Sequence, residues 1–486
     1  MERSHLLREL ERIVGPMYVR HRPVDLMVYA YDGSVEGAVD LAAPAAVVLP
    51  ASTDEVVRIV KLAYAAGMPV TARGAGTGLS GGAVAQAGGL IIALTRMDRI
   101  LDVDPIDRTA LVQPGVVNLE LTEDVANLGL FFAPDPSSQK ACTIGGNVAE
   151  NSGGPHCLKY GVTTNHILGL EVVLPDGQVI WTDVARDGFA GLDLTAALVG
   201  SEGMFGIVTK ALVRLTQKQP ATRVMLAAFD SMEAASAAVT NVIAAGNLPA
   251  ALEMVDNLTI QAVEPVYHAG YPLDAQGVLL IEVDGHPLDV EETSREVESI
   301  CRAAGSTTYR QADSQAERDL LWKGRKMALA AMGRLAPNYY LHDTVVPRTR
   351  LAETLTAVEQ ISAEYKLPIA NVFHAGDGNL HPLMLFDRRI PGDTEKVLEA
   401  SHHLIEACIA LGGALSGEHG IGTEKRGYMT LVYSDDDLRS MAGLKRAFDP
   451  ENRFNPEKVL PKGYVCSDIK ALHLETMARK HDIVPV

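Results

Sequence analysis

The sequence predicts an α+β fold of two to three domains, and three observations carry that expectation. A glycine-dense loop, Arg73 to Gly82, is followed by a short apolar run that reads as a buried strand, Gly88 to Leu94. A second cluster of glycines, amides and hydroxyls lies between Pro134 and Gly154, with strand signals between the two. Beyond residue 220 the texture changes to strands alternating with helices.

The loop reads Arg73-Gly74-Ala75-Gly76-Thr77-Gly78-Leu79-Ser80-Gly81-Gly82, and five of its ten residues are glycine. Such density lets successive backbone N–H groups turn toward one centre and approach an anion with no Cβ in the way, as a pyrophosphate requires. Gly76 to Gly81 also satisfies G-x-G-x-x-G, but a Rossmann fingerprint must open a helix and this loop precedes a strand. No Gly-Lys-Ser/Thr follows, which excludes a P-loop. The bland alternative is a flexible surface loop.

In chain order, residues 1–40 hold a polar amphipathic helix and an irregular segment. Ser52-Thr53-Asp54-Glu55 is a capping box, and Val56, Val57, Val60 and Ala63 mark one face of a helix ending at Gly67. Met68 to Ala72 is the strand that delivers the loop. Ile100 to Val103 and Thr109 to Gln113 predict paired strands, and Leu119 to Leu128 a short helix. The second cluster runs from Pro134-Asp135-Pro136-Ser137-Ser138 through Cys142-Thr143-Ile144-Gly145-Gly146-Asn147 to Asn151-Ser152-Gly153-Gly154, and suits a long polar ligand held by backbone. Pro175-Asp176-Gly177 between two apolar runs is a hairpin signal. Gly200 to Thr209 closes the first domain, and Gln217 to Pro220 reads as a boundary. Arg223 to Phe229, Met232 to Ala245, Val278 to Val283 and Val290 to Ala304 then alternate strand and helix, read as a cap domain over the cofactor.

Composition is that of a globular protein of 486 residues, 47% hydrophobic and 21% charged, with a net charge of −18. That charge, without any basic run, argues against a nucleic-acid partner. The charged start lacks the apolar core of a signal peptide, and no stretch approaches the roughly 20 apolar residues of a transmembrane segment. The expected location is cytoplasmic, with peripheral association at the inner face of a membrane, through partner subunits, left open. Cys142, Cys157, Cys301, Cys408 and Cys466 are odd in number and far apart, suggesting neither a disulfide framework nor an iron–sulfur site.

The most specific chemical signal is His374-Ala375-Gly376-Asp377-Gly378-Asn379-Leu380-His381. A two-residue type I′ turn at Asp377-Gly378 sets His374 directly opposite His381, with Cβ atoms about 5 Å apart. Two imidazoles so placed can share one divalent ion, and Glu418 in Ser416-Gly417-Glu418-His419-Gly420 offers a third ligand. A His-His-Glu set suits zinc or manganese and leaves a position open for a substrate oxygen. The alternative is a hydrogen-bonded histidine pair without metal.

The glycine loop, Pro-Asp-Pro-Ser-Ser, Gly-Gly-Asn-Val-Ala-Glu-Asn-Ser-Gly-Gly, Gly-Ser-Glu-Gly, His-Ala-Gly-Asp-Gly-Asn-Leu-His and Gly-Glu-His-Gly-Ile-Gly are spread in that order over nearly the whole chain. Together they resemble the FAD-linked 2-hydroxyacid dehydrogenases of the vanillyl-alcohol oxidase type. The resemblance implies a PCMH-type FAD-binding domain of two α+β subdomains at 42–220, preceded by a helical segment at 1–41. An α/β cap, the FAD-linked oxidase C-terminal domain, would span 221–447 and cover the flavin ring. A segment at 448–486, marked by Phe448-Asp449-Pro450 and Asn455-Pro456, would return to the FAD domain. FAD would be held by Arg73, Gly74, Ala75, Gly76, Thr77, Gly78, Ser80 and Gly81. Pro134, Asp135, Ser137, Thr143, Gly145, Gly146, Asn147, Asn151, Ser152 and Gly153 would hold it from the second cluster, with Glu202, Gly206, Ile207 and Asn455 beyond it. Thr77 stands where some relatives carry a flavin-linking histidine, so FAD is expected to be non-covalent.

The implied reaction is oxidation of a small 2-hydroxyacid, glycolate or D-lactate, with hydride passing to flavin N5. A metal on His374, His381 and Glu418 would acidify the hydroxyl. His419, with a reference pKa near ~6.5, is the expected general base. Arg325 is the implied carboxylate anchor, although without the resemblance it reads as a surface charge on a helix. Asn379 assists near the metal or simply forms the turn. Leu341 stands where the D-2-hydroxyglutarate members place a lysine, which favours a monocarboxylic substrate. Expected partners are a second flavin subunit and an iron–sulfur subunit passing electrons to quinone. The competing readings are a D-2-hydroxyglutarate dehydrogenase and a non-catalytic flavin electron-transfer subunit.

Overall fold

Ser52 opens the first long helix after residue 41: its hydroxyl accepts the Glu55 N–H, and the Glu55 carboxylate accepts the Ala51 N–H in return. The helix Thr53–Ala65 turns Val56, Ile59, Val60 and Ala63 inward, an apolar stripe at helical spacing. The computed structural model describes residues 2–34, 43–85, 88–182 and 191–464. Residues 35–41 of the expected N-terminal segment and the tail beyond 464, with Cys466, lie outside the described residues.

The chain divides into two units: Met1–Ser152 with Val162–Gln217 and His419–Val486, and Gly153–Gly161 with Lys218–Glu418. The expected boundaries at 220 and 447 compare with divisions at 217 and 418.

In the first unit a four-stranded sheet has the order Val19–Arg20, Ala46–Val48, Leu90–Ala93, Val70–Arg73, and its last three strands are parallel. Leu90, Ile91 and Ile92 are fully buried, as a parallel strand covered on both faces requires. Helix Arg3–Val14 joins this core through Leu6, Leu10 and Val14, beside Val56, Ile59 and Phe454. A second, antiparallel sheet has the order Ile100–Asp104, Thr109–Val112, Ile207–Arg214, Ile167–Val173, Val179–Trp181. Its 167–181 hairpin turns at Asp176-Gly177, where Gly177 has φ +80° and donates its N–H to Leu174 at 2.8 Å. Two sheets with their helices make the two α+β subdomains that the resemblance implies.

The C-terminal part adds to the edge of the first sheet. Val70 donates to the Arg453 carbonyl and Asn455 to the Val70 carbonyl, both at 2.7 Å. Helix Asp435–Phe448 precedes this return and is closed at its start by a Ser434–Asp437 capping box. Near its end Lys445 is 2% exposed and donates to Met204 O, Phe454 O and Asp449 Oδ2. All three ammonium donors are thereby satisfied.

The second unit is a seven-stranded sheet in the order Thr308–Gln311, Ala221–Phe229, Gly277–Gly285, Ala251–Asp256, Ile369–Phe373, Pro382–Phe386, Asn338–Leu341. Every pairing is antiparallel. Helices Met232–Ala244, Asn257–Tyr267, Pro287–Ala303 and Leu351–Tyr365 alternate with the strands. Asp256 ties two strands and a helix together: it caps the helix through the Thr259 N–H and accepts the backbone and side-chain N–H groups of Asn371. The segment 153–161 is held to strand Gly277–Gly285, where Lys159 and Tyr160 both bind the Asp284 carboxylate.

Lys445→Met removes the cation from a carboxylate that is itself fully buried, and breaking such a pair costs about 3–5 kcal/mol. A urea titration is expected to show that loss for Lys445→Met. Lys445→Met combined with Asp449→Asn is expected to recover part of it.

Candidate active site

The glycine loop has a one-sided polarity. The carbonyls of Gly78, Ser80, Gly81, Gly82 and Ala83 accept from, respectively, Gly33 N, Thr423 N, Lys458 Nζ, Asn455 Nδ2 and Arg73 Nη1. Among the described residues nothing accepts a hydrogen bond from the N–H groups of residues 74–82. Ser80 is 1% exposed and its hydroxyl is likewise without a partner there. Buried polar groups are normally satisfied. A run of unpaired donors fits the pyrophosphate of a dinucleotide, so the loop fits FAD.

Arg73 is buried and donates to the Tyr31 and Ala83 carbonyls, so it braces the loop from within. Gly76, at φ +73°, lies so close to that guanidinium that a Cβ would collide with it. Ala75 is exposed, and Thr77 and Gly78 are half-buried.

The second cluster buttresses the first. Thr143 caps helix Ile144–Glu150 through the Gly146 N–H, and its hydroxyl occupies the space a Cβ on Gly74 would need. Gly145 donates to the Pro114 carbonyl, and Asn118 donates to both the Pro134 carbonyl and Asn147 Oδ1. Ser137 is exposed and Asp135 half-buried beside it. Asn151 ends the helix in the left-handed region and accepts the Thr164 N–H, while Ser152 donates to the Asn147 carbonyl. Gly206 and Ile207 are buried, with Gly206 tight against Val172.

Glu202 has a structural task. Its carboxylate accepts the Ile421 and Gly422 N–H groups at 2.7 and 2.8 Å and fixes the turn that follows His419. Burial raises its pKa despite those two amides. Glu150 beside it is raised well above the ordinary range by burial, then by Glu202 and Asp32. Lys458 is held between the Gly81 and Val84 carbonyls, and burial lowers it to about 8. Asn455 accepts from Thr71 and donates to the carbonyls of Gly82 and Glu202.

In the second unit the histidine hairpin forms in a different register. His374 pairs with Asn379, exchanging N–H···O bonds of 3.0 and 3.2 Å, and Asn371 pairs with Pro382. His381 is therefore diagonal to His374 rather than opposite it. The physical reason is the turn: only Gly378 takes a positive φ, whereas a type I′ turn needs Asp377 there too. Four residues, 375–378, span the turn instead, with Asp377 N–H on the His374 carbonyl. A shift of two leaves both histidines on one face, and the rings meet edge to face with centroids 5.1 Å apart.

Glu418 completes the group. Its Oε1 is 3.1 Å from His374 Nε2 and 3.4 Å from His381 Nε2, and one donor atom from each of the three residues lies within 4.8 Å of the others. Burial pulls the His374 pKa down, but the carboxylates of Glu253 and Glu418 outweigh it and push it up to about 10. Two imidazoles and a carboxylate converging on one point fit a divalent ion. Gly153 belongs to this site, since a Cβ there would lie 2.7 Å from Glu418 Oε2. His419 is half-buried and follows Glu418 directly.

Two residues here escape the sequence reading. Asp343, fully buried, accepts the Gly417 and Glu418 N–H groups and the Ser416 hydroxyl, which orients Glu418. Glu253 contacts His374 Nδ1 at 2.8 Å and Arg325 Nη2 at 2.6 Å. The available signal for Glu253 is an acid between the apolar residues Leu252 and Met254 of strand Ala251–Asp256; Asp343 leaves none.

Arg325 is not a surface charge. It lies near the end of helix Gln315–Lys326, 4% exposed, and its Nε and Nη2 make no hydrogen bond among the described residues. Gly324 lets that helix lie against Tyr271, whose hydroxyl donates to the Leu321 carbonyl. Asn379 is buried under Gly417 with its Oδ1 unpaired.

Residues 44–183 match the FAD binding domain, and residues 218–459 match the FAD linked oxidases, C-terminal domain. The chain is 44% identical over 474 residues to glycolate oxidase subunit GlcD of Escherichia coli (strain K12), covering 98% of this chain and 94% of that protein. It is 32% identical over 431 residues to D-lactate dehydrogenase of Anaerostipes hadrus, covering 87% and 90%. The fold is similar to that of p-cresol methylhydroxylase with substrate bound, at TM-score 0.80 and 18% identity over 94% of this chain and 96% of that one. Among the described residues no helix is long and apolar enough to cross a membrane. With both domains matched and the likeness running end to end, the chain belongs to the FAD-linked 2-hydroxyacid dehydrogenases, the family that includes glycolate oxidase GlcD and D-lactate dehydrogenase.

Proposed function

We propose that this chain oxidises a small 2-hydroxyacid, glycolate or D-lactate, to glyoxylate or pyruvate. The observation that carries the reading is Arg325, a buried guanidinium whose Nε has no hydrogen-bond partner and whose only ion-pair partner among the described residues also touches His374. A planar carboxylate satisfies such a fork.

His374, His381 and Glu418 would hold a zinc or manganese ion next to that anchor. The bound ion supplies a Lewis acid for the substrate hydroxyl, and FAD, held non-covalently at the glycine loop, supplies the hydride acceptor. His419 accepts the hydroxyl proton, and the turn after it is fixed by Glu202. Asn379 offers its unpaired amide oxygen to a donor of the substrate. Leu341 packs against the apolar core of the second unit and brings no cation for a second carboxylate, which favours glycolate or D-lactate over D-2-hydroxyglutarate.

Likeness to a protein named as a subunit supports a place in a multi-subunit oxidase. A second flavin subunit and an iron–sulfur subunit would carry electrons toward quinone, because the five cysteines of this chain are too scattered to suggest a cluster of its own.

Flavin is expected to leave the protein on acid precipitation. Gly74→Val, which pushes the loop off Thr143, is expected to purify with less than about a tenth of the wild-type flavin, because a Cβ there has no room; Gly427→Ala, in open space, keeps it. Anaerobic glycolate or D-lactate should bleach the flavin, L-lactate and D-2-hydroxyglutarate should do so more slowly, and a chelator should abolish the reaction. Arg325→Lys is expected to lower kcat/KM at least about tenfold at unchanged flavin content. An intact flavin that no hydroxyacid reduces would sink the proposal.

A further inference from the structure

We infer that Glu253 is a positioning residue that couples the carboxylate anchor to the metal centre. The inference rests on the reading of Arg325 and His374 given above and adds a residue to it. Glu253 sits at the middle of strand Ala251–Asp256, 1% exposed, with Leu252 and Met254 buried on either side. A carboxylate in that setting is costly unless it is paired. Its Oε1 and Oε2 lie 2.8 and 2.9 Å from His374 Nδ1, and Oε2 lies 2.6 Å from Arg325 Nη2.

Each contact has a consequence for the site. Toward His374, the carboxylate accepts the Nδ1–H, so that Nε2, 3.1 Å from Glu418, is the ring nitrogen left for a metal ion. Toward Arg325, it places a negative charge beside a guanidinium that would otherwise repel a dication in the same buried space. The contact engages Nη2 and leaves Nε without a hydrogen-bond partner among the described residues. Glu253 thus holds the anchor from one nitrogen and leaves Nε for a substrate. Strand pairing keeps the bridge rigid: Met254 is in register with Phe373, next to His374, and Glu253 with Leu280 of the neighbouring strand.

A purely structural salt bridge predicts something different, so the test reads metal and ligand binding rather than turnover. Flavin-loaded Glu253→Gln and Glu253→Asp would be titrated with Mn²⁺ against a competing chelator. Oxalate binding to the Mn²⁺-loaded proteins would then be followed through the flavin spectrum. Glu282→Gln serves as the control, since Glu282 is a carboxylate of the same sheet that binds Trp322 Nε1 and His156 instead. Glu253→Gln is expected to weaken Mn²⁺ about 10–100-fold and to weaken oxalate at saturating metal, with Glu253→Asp recovering part of both. Glu282→Gln is expected to change neither. Wild-type affinities in Glu253→Gln and Glu253→Asp would overturn the inference while leaving the proposed reaction intact. A wild-type protein that takes up no Mn²⁺ at all would overturn both.

Discussion

Buried carboxylates bonded to backbone N–H groups are the constraint on which the rest of the structure depends. A carboxylate taken out of water needs several donors, and this chain supplies them from glycine-rich turns, a helix start and a strand. Asp343 accepts the amides of Gly417 and Glu418, Glu202 accepts those of Ile421 and Gly422, and Asp256 accepts those of Thr259 and Asn371. The stretch from Ser416 to Gly422 is therefore fixed in each unit by an acid of that unit. Glu418 and His419, the proposed metal ligand and base that it carries, lie between those two fixed points.

The glycine loop applies the same physics with the signs reversed. Its carbonyls are taken from behind by Lys458, Asn455, Arg73 and backbone amides, which leaves the N–H ends of the peptide dipoles in front. Removing a carbonyl partner would free the peptide planes to rotate, so residues far along the chain at 455 and 458 set the geometry of a loop at 74–82. This is a chemical reason for the C-terminal part to lie on the edge strand Val70–Arg73.

Local rules make much of this legible. The Ser52 cap, the Asp176-Gly177 hairpin and the strand after the glycine loop depend on neighbours in sequence, and each forms as expected. The His374–His381 register departs from expectation because Asp-Gly suits both a two-residue turn and a four-residue one, and here only Gly378 takes the positive φ, which goes with the four-residue turn. Arg73 reads as an anion ligand by its place at the loop, yet its partners Tyr31 and Ala83 are carbonyls no local pattern reveals. Asp343 leaves no local sign, and the apolar strand around Glu253 hints at burial but not at its partner, because the donors lie 75 and 121 residues away.

The most direct test of a metal-assisted hydroxyacid site is anomalous X-ray scattering from crystals of the flavoprotein grown with Mn²⁺. The account predicts one anomalous peak, within bonding distance of His374 Nε2, His381 Nε2 and a Glu418 oxygen. A fully formed His374–Glu418 contact with no peak between the three side chains would contradict it.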